Sequence, residues 1–227
     1  MSTGTVRANE AYSQEYYLDR QASPTFHAEL RHLCALLRPL PGERILEVGC
    51  GGGALLASCI QRGAVALGLD INPQALALGR RGLPQTVVIA ASGLQCPFGD
   101  GSFDAVVSQH VLEHFDDADA LLKEWHRVLR PGGRVVAATP NRHYPDPDLY
   151  GDPDHSHIYS RADLREALRR NGFVVERCYT LVPYLGHRRL TFKAARWFLF
   201  LRHVPVIAGR GLTLLARARK PAAQQPW

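Results

Sequence analysis

Glu47-Val48-Gly49-Cys50-Gly51-Gly52-Gly53 is the stretch on which the reading of this fold depends. It closes a short apolar run, 44–48, and opens directly into a helix-forming segment, 54–61. Glycine lets a backbone turn sharply and approach a ligand closely. The start of a helix offers unpaired N–H groups to a polar or anionic ligand. The next apolar run, 65–70, ends on Asp70, 19 residues beyond Gly51. A carboxylate there can accept hydrogen bonds from both hydroxyls of a ribose. Together these features read as a nucleoside-cofactor site, with a purely structural turn as the plain alternative. The spacing is G-x-G-x-G, not the G-x-G-x-x-G of dinucleotide-binding folds. Glu47 also sits two positions before the first glycine, where a pyrophosphate would be repelled and an ammonium group attracted. A nicotinamide-linked oxidoreductase stays open as the second reading.

On either side of the turn the chain alternates between strand and helix signals. Ser23-Pro24 reads as an N-cap with proline at N1. The helix it starts runs to Leu37, with Phe26, Leu30, Leu33, Cys34 and Leu37 on one face. Pro39, Pro41 and Gly42 stop it. Residues 1–22 are polar and tyrosine-rich without a clear period. Apolar runs at 44–48, 65–70, 86–90, 103–108 and 134–139 read as buried strands, separated by helical stretches at 54–61, 73–80 and 118–129. That order predicts an α/β fold, a doubly wound Rossmann-like sheet covered on both faces. Ser160 caps a further helix, 161–170, which Asn171-Gly172 closes. Strands follow at 173–179 and 212–218. The expected organisation is an N-terminal segment and helix, 1–39, serving as a lid or cap, then one domain over 40–227.

The 227 residues suffice for one sizeable core, and 46% hydrophobic with 21% charged is ordinary for a globular chain. The first residues lack the basic and apolar pattern of a secretory signal, and no apolar run spans a bilayer. Five cysteines, none in a C-x-x-C pair, fit a reducing cytoplasm better than a disulfide framework. The net charge of +6 is uneven. Ten Lys or Arg and no acid lie in 177–227, leaving 17 basic against 21 acidic residues, net −4, in the first 176. The basic character therefore belongs to a C-terminal segment rather than to a nucleic-acid-binding chain as a whole.

Four co-linear blocks carry a family resemblance. Ile45 through Gly53 resembles motif I of class I S-adenosylmethionine (SAM) methyltransferases. Pro97-Phe98-Gly99-Asp100-Gly101-Ser102-Phe103-Asp104 is similar to the lead into that family's fourth strand, and Val111-Leu112-Glu113-His114-Phe115 to the segment after it. Val128-Leu129-Arg130-Pro131-Gly132-Gly133 resembles the turn into the fifth strand. The resemblance implies a seven-stranded sheet, mostly parallel, with an antiparallel last strand, and SAM as the cofactor. It implies that Gly49 and Gly51 pass under the methionine portion, Glu47 anchors its amino end, Asp70 holds the ribose and Ile71 lies on the adenine. Ser92 stands where the family normally has an acid for the adenine edge, and Gly93 offers a backbone N–H beside it. Gln109 and His110 lie near the sulfonium. The implied reaction is methyl transfer to a small-molecule or lipid-like acceptor, with oxygen favoured. A SAM-binding partner subunit without catalysis is the other class, kept open by Ser92.

Several residues carry two readings. His110 is a general base facing the methyl group, or a packing histidine. His157, just before the Tyr159-Ser160 helix start, lines the acceptor pocket or merely shapes the helix entry. The loop 146–157 is rich in oxygen and nitrogen donors, but no tight ligand set stands out and no metal is expected. No Asn-Pro-Pro-aromatic run follows Ser108, so nucleic-acid bases are not expected acceptors. Tyr12, Tyr16 and Tyr17 read as a lid over the cofactor or as an unstructured start. The insertion 186–211 has a helical, basic and aromatic core, 190–203, with Trp197, Phe198 and Phe200 beside Arg189, Lys193 and Arg196. It walls an apolar substrate pocket, touches a membrane surface peripherally through 189–203, or forms an oligomer contact.

Overall fold

The computed structural model describes residues 13–144, 155–181 and 211–222. Seven strands form one sheet: β1 (Arg44–Val48), β2 (Val65–Asp70), β3 (Val87–Ala90), β4 (Phe103–Gln109), β5 (Leu129–Pro140), β6 (Val174–Thr180) and β7 (Thr213–Arg219). Their spatial order is β3-β2-β1-β4-β5-β7-β6. β1 pairs in parallel with both β2 and β4, while β7 runs antiparallel to β5 and to β6. The doubly wound sheet with its antiparallel last strand is therefore present. Because β1 leads to β2 on one side and adjoins β4 on the other, the strand order reverses beside the end of β1, where such sheets open a crevice for ligands.

Among the described residues, six helices flank the sheet: α1 (Gln14–Ala22), α2 (Pro24–Leu37), α3 (Ala54–Ile60), α4 (Pro73–Gly82), α5 (Asp119–Val128) and α6 (Arg161–Arg170). Alternation along the strands supplies both layers. Leu46, Val48 and Val106 face α5 and α6, packing with Leu121, Trp125, Leu164 and Leu168. Ile45, Ala105 and Val107 face the other way, with Leu33 and Leu37 of α2 and Leu55 and Leu56 of α3. α2 is thus part of the main core. Ser23 Oγ accepts from Phe26 N, as its position before Pro24 predicts. Ser160 and Asp163 form a reciprocal capping box on α6. All five cysteines are buried free thiols.

Three details differ from the sequence reading. α1 forms within a stretch without apolar period, capped by Ser13. The strand expected at 134–139 runs from Leu129 to Pro140, since Phe103 pairs with Leu129 before the register shifts to Ala105 and Arg134. In the segment after β4, for which no element was expected, His110 has φ of +57° and Leu112–His114 form a single 3-10 turn. The loop 145–154 and the insertion core 190–203 lie outside the described residues, as does Tyr12.

Candidate active site

The glycine turn is held from the adjacent strand. Gly49 and Cys50 donate their N–H groups to the Leu69 carbonyl, and Gly51 donates to Asp70 Oδ2 at 2.8 Å. The other Asp70 oxygen accepts from Asn72 N at 2.8 Å, and Asn72 in turn caps α4 by accepting from Gln74 N. One carboxylate therefore joins the end of β2 to the turn after β1. Gly49 has φ of +73°, and a Cβ there would stand 2.2 Å from Val111 Cγ2. Both the backbone sign and the space exclude a larger residue. Above the turn, the Tyr17 ring lies 3.2 Å from where a Gly51 Cβ would be.

The turn floors an open cleft of about 410 Å³. Glu47, Gly49, Gly51 and Gln109 line it from the sheet, while Tyr17, Arg20, Gln21 and Phe26 close over it from α1 and α2. Glu47 is 3% exposed, and its Oε2 has no hydrogen-bond partner among the described residues. Burial pushes its carboxyl well above the usual carboxylate range, with Asp70 adding to the rise. An orphaned acidic oxygen beside a cleft calls for a cationic or hydrogen-bond-donating ligand. Burial likewise raises Asp70 against the backbone N–H groups that lower it.

Not every expected cofactor residue meets in this cleft. Asp70 holds the turn without lining the cleft, and Ile71, Ser92 and Gly93, half-buried beyond the ends of β2 and β3, are not among its lining either. Ser92 Oγ accepts from Leu94 N at 3.2 Å, and Gly93 packs on Val48.

A buried polar network adjoins the cleft through Gln109. Gln109 Nε2 donates to Glu29 Oε2 at 2.8 Å, and Thr213 Oγ1 donates to Glu29 Oε1. His110 Nε2 stands 3.0 Å from Glu29 Oε2, and its Nδ1 stands 3.0 Å from Glu113 Oε1. Thr139 Oγ1 completes the chain, donating to Glu113 Oε2 at 2.9 Å. Burial alone would raise Glu29, but the His110 charge and the three donors outweigh it and bring it down to about 2. Burial alone would lower His110; Glu29 and Glu113 outweigh it and hold it up at about 9. His157 donates its backbone N–H to the Glu113 carbonyl, and its ring packs edge-on to Tyr159 at 4.4 Å. Of the two expected catalytic histidines, His110 is thus locked in the network, and His157 stands half-buried at its border.

Glu29 escaped the sequence reading, although a signal was there. It lies on the apolar stripe of α2, three residues after Phe26 and four before Leu33, where an acid needs a buried partner. One set among the described residues has metal-ligand chemistry, Glu113, His114 and His155.

Comparison with known proteins agrees with this geometry. A family model described as a methyltransferase domain matches residues 46–137. A probable S-adenosylmethionine-dependent methyltransferase of Mycolicibacterium smegmatis is 34% identical over 169 residues, 72% of this chain and 62% of that protein. A ubiquinone biosynthesis O-methyltransferase of Acinetobacter baumannii is 36% identical over 109 residues, 45% of this chain and 46% of its own length. The chain thus matches only part of the length of these curated relatives. In fold, it resembles the crystal structure of an S-adenosylmethionine dependent methyltransferase from Mesorhizobium loti, with a TM-score of 0.67 and 24% identity, covering 85% of this chain and 97% of the other.

Proposed function

This chain carries a class I S-adenosylmethionine-dependent methyltransferase domain, and on that premise we propose that it transfers the cofactor's methyl group to a small-molecule or lipid-like acceptor, with oxygen as the favoured nucleophile. The observation that carries the cofactor's placement is the unpartnered Glu47 oxygen beside the glycine-floored cleft. SAM supplies an already electrophilic methyl group on a sulfonium, so the protein's work is mostly alignment. Glu47 accepts from the methionine ammonium, and Arg20, the cation lining the same cleft, meets its carboxylate. Gly49 and Gly51 let the backbone pass beneath. Asp70, while holding Gly51 and Asn72, has lone pairs left for the ribose. Ile71, Ser92 and Gly93 serve the adenine at the far end.

His110 acts as a positioning residue in this reading. Both ring nitrogens already face carboxylates, so neither is open to take a proton from an acceptor. It ties α2 to the turn after β4 and so fixes Gln109 at the cleft. His157 is the histidine left to line the acceptor pocket and receive a proton there. The oxygen preference and a lipid-like acceptor draw support from the ubiquinone-biosynthesis relative and from the basic and aromatic sequence of residues 186–211, which suits an apolar wall or a peripheral membrane contact.

Calorimetry on the full chain with SAM, S-adenosylhomocysteine and NAD tests the reading. Saturable, one-to-one binding of the first two and none of NAD is expected. Binding of NAD alone would restore the oxidoreductase, and SAM binding without turnover on any hydroxylated quinone precursor would favour a silent partner subunit.

A further inference from the structure

Glu113 and His114 belong to the 3-10 turn after β4, and His155 reaches them from the segment that leads into α6. One ligand atom from each lies within 4.8 Å of the other two. The two imidazole rings stand 5.4 Å apart between centroids and are tilted by 52°. Glu113 is fully buried, whereas both histidines are half-buried, so the set is closed behind the carboxylate and accessible from the histidine side.

Two imidazoles and one carboxylate form a donor set that zinc takes in sites that keep a position open. Zinc-to-ligand bonds of about 2.0–2.2 Å place ligand atoms roughly 3.3 Å apart. The three ligand atoms, within 4.8 Å of one another, close toward that spacing when the ion binds. The carboxylate already has the outer support that metal ligands need. Thr139 donates to one Glu113 oxygen, and His110 stands beside the other. Each oxygen keeps a second lone pair, and hydrogen-bonded carboxylates behind a metal hold its ligands in place.

We propose that Glu113, His114 and His155 bind a divalent transition-metal ion of the zinc class, with a remaining position open to water or another oxygen ligand. The proposal stands apart from methyl transfer, and its test needs neither cofactor nor acceptor. The untagged full chain, stripped with chelator and desalted, is titrated with cobalt chloride. One cobalt per chain with the visible bands of a low-coordinate site is expected, displaced by zinc and left in place by equal magnesium. His114→Ala and His155→Ala should each weaken cobalt binding at least tenfold, while His27→Ala on the exposed face of α2 leaves it unchanged. Circular dichroism and melting checks that the variants remain folded. Sub-stoichiometric cobalt in the wild type, or equal affinity in the folded His114→Ala and His155→Ala variants, would overturn the proposal.

Discussion

Burial holds the Glu47 carboxyl well above the usual range, which favours its protonated form in the free protein. Its sign matters for binding. A cation seated on Oε2 needs the ionised form, so below the raised value a proton must leave on binding. Affinity for SAM should therefore rise with pH, by up to about tenfold per unit, and level off above that value. Calorimetry in buffers of different ionisation enthalpy should register net proton release. Glu47→Gln should remove the pH dependence and weaken binding by about 1.5–3 kcal/mol; a wild-type profile flat from pH 5 to 8 would contradict the assignment. Asp70 behaves differently, because it already serves the fold itself through Gly51 and Asn72. Asp70→Ala should cost about 1–3 kcal/mol of stability without cofactor, read from urea unfolding, and a similar amount of cofactor affinity. Relief of its burial cost keeps the stability loss near the low end.

α1 shows where an element's order comes from. None of its nine residues is buried, and an isolated helix of that length is marginal in water. What holds it is the contact of Tyr17 and Gln21 with the glycine turn. Its amides should exchange quickly in the free protein and gain protection with S-adenosylhomocysteine, well beyond any gain in β1 or β4. Tyr17→Ala should abolish that gain and raise the cofactor Kd by about tenfold, the worth of a half-buried aromatic ring; unchanged affinity together with unchanged protection would refute the lid role. The same contrast explains what the sequence disclosed. α2 and α6 were legible because Ser23-Pro24 and Ser160 mark their starts and apolar spacing marks their faces. The glycine turn was legible because its conformation demands its residues. α1 was not, since its order comes from a surface it does not encode locally. Nor was the insertion of β7 between β5 and β6 readable from the run 212–218 itself, and only the family resemblance predicted its direction. Glu113, His114 and His155 come together across some 40 residues, so no local ligand spacing could reveal them.

At the scale of the whole molecule, the C-terminal excess of positive charge divides in two. Arg217 and Arg219 both pair with Glu176, at 2.6 and 2.7 Å. Lys220 Nζ donates to the carbonyls of His126 and Leu129. Those cations are used within the fold. Apart from Arg177 on β6, the remaining ones (Arg188, Arg189, Lys193, Arg196, Arg202 and Arg210) fall outside the described residues and, within 182–210, have no acid in sequence to offset them. Beside Trp197, Phe198 and Phe200 they suit an anionic interface, where each basic residue near the surface is worth about 1 kcal/mol. The full chain should therefore sediment with phosphatidylserine-containing vesicles and not with purely zwitterionic ones, and salt should release it. Removing Lys193, Arg196 and Trp197 together, as alanines, takes away two such charges and one aromatic anchor. The loss should reach roughly 2 kcal/mol, about thirtyfold in partition. Calorimetric SAM affinity should stay unchanged, because the cleft is lined wholly by residues 17–109. Equal sedimentation of the two proteins would instead leave the segment to the acceptor, as an apolar wall whose loss shows in KM rather than in vesicle binding.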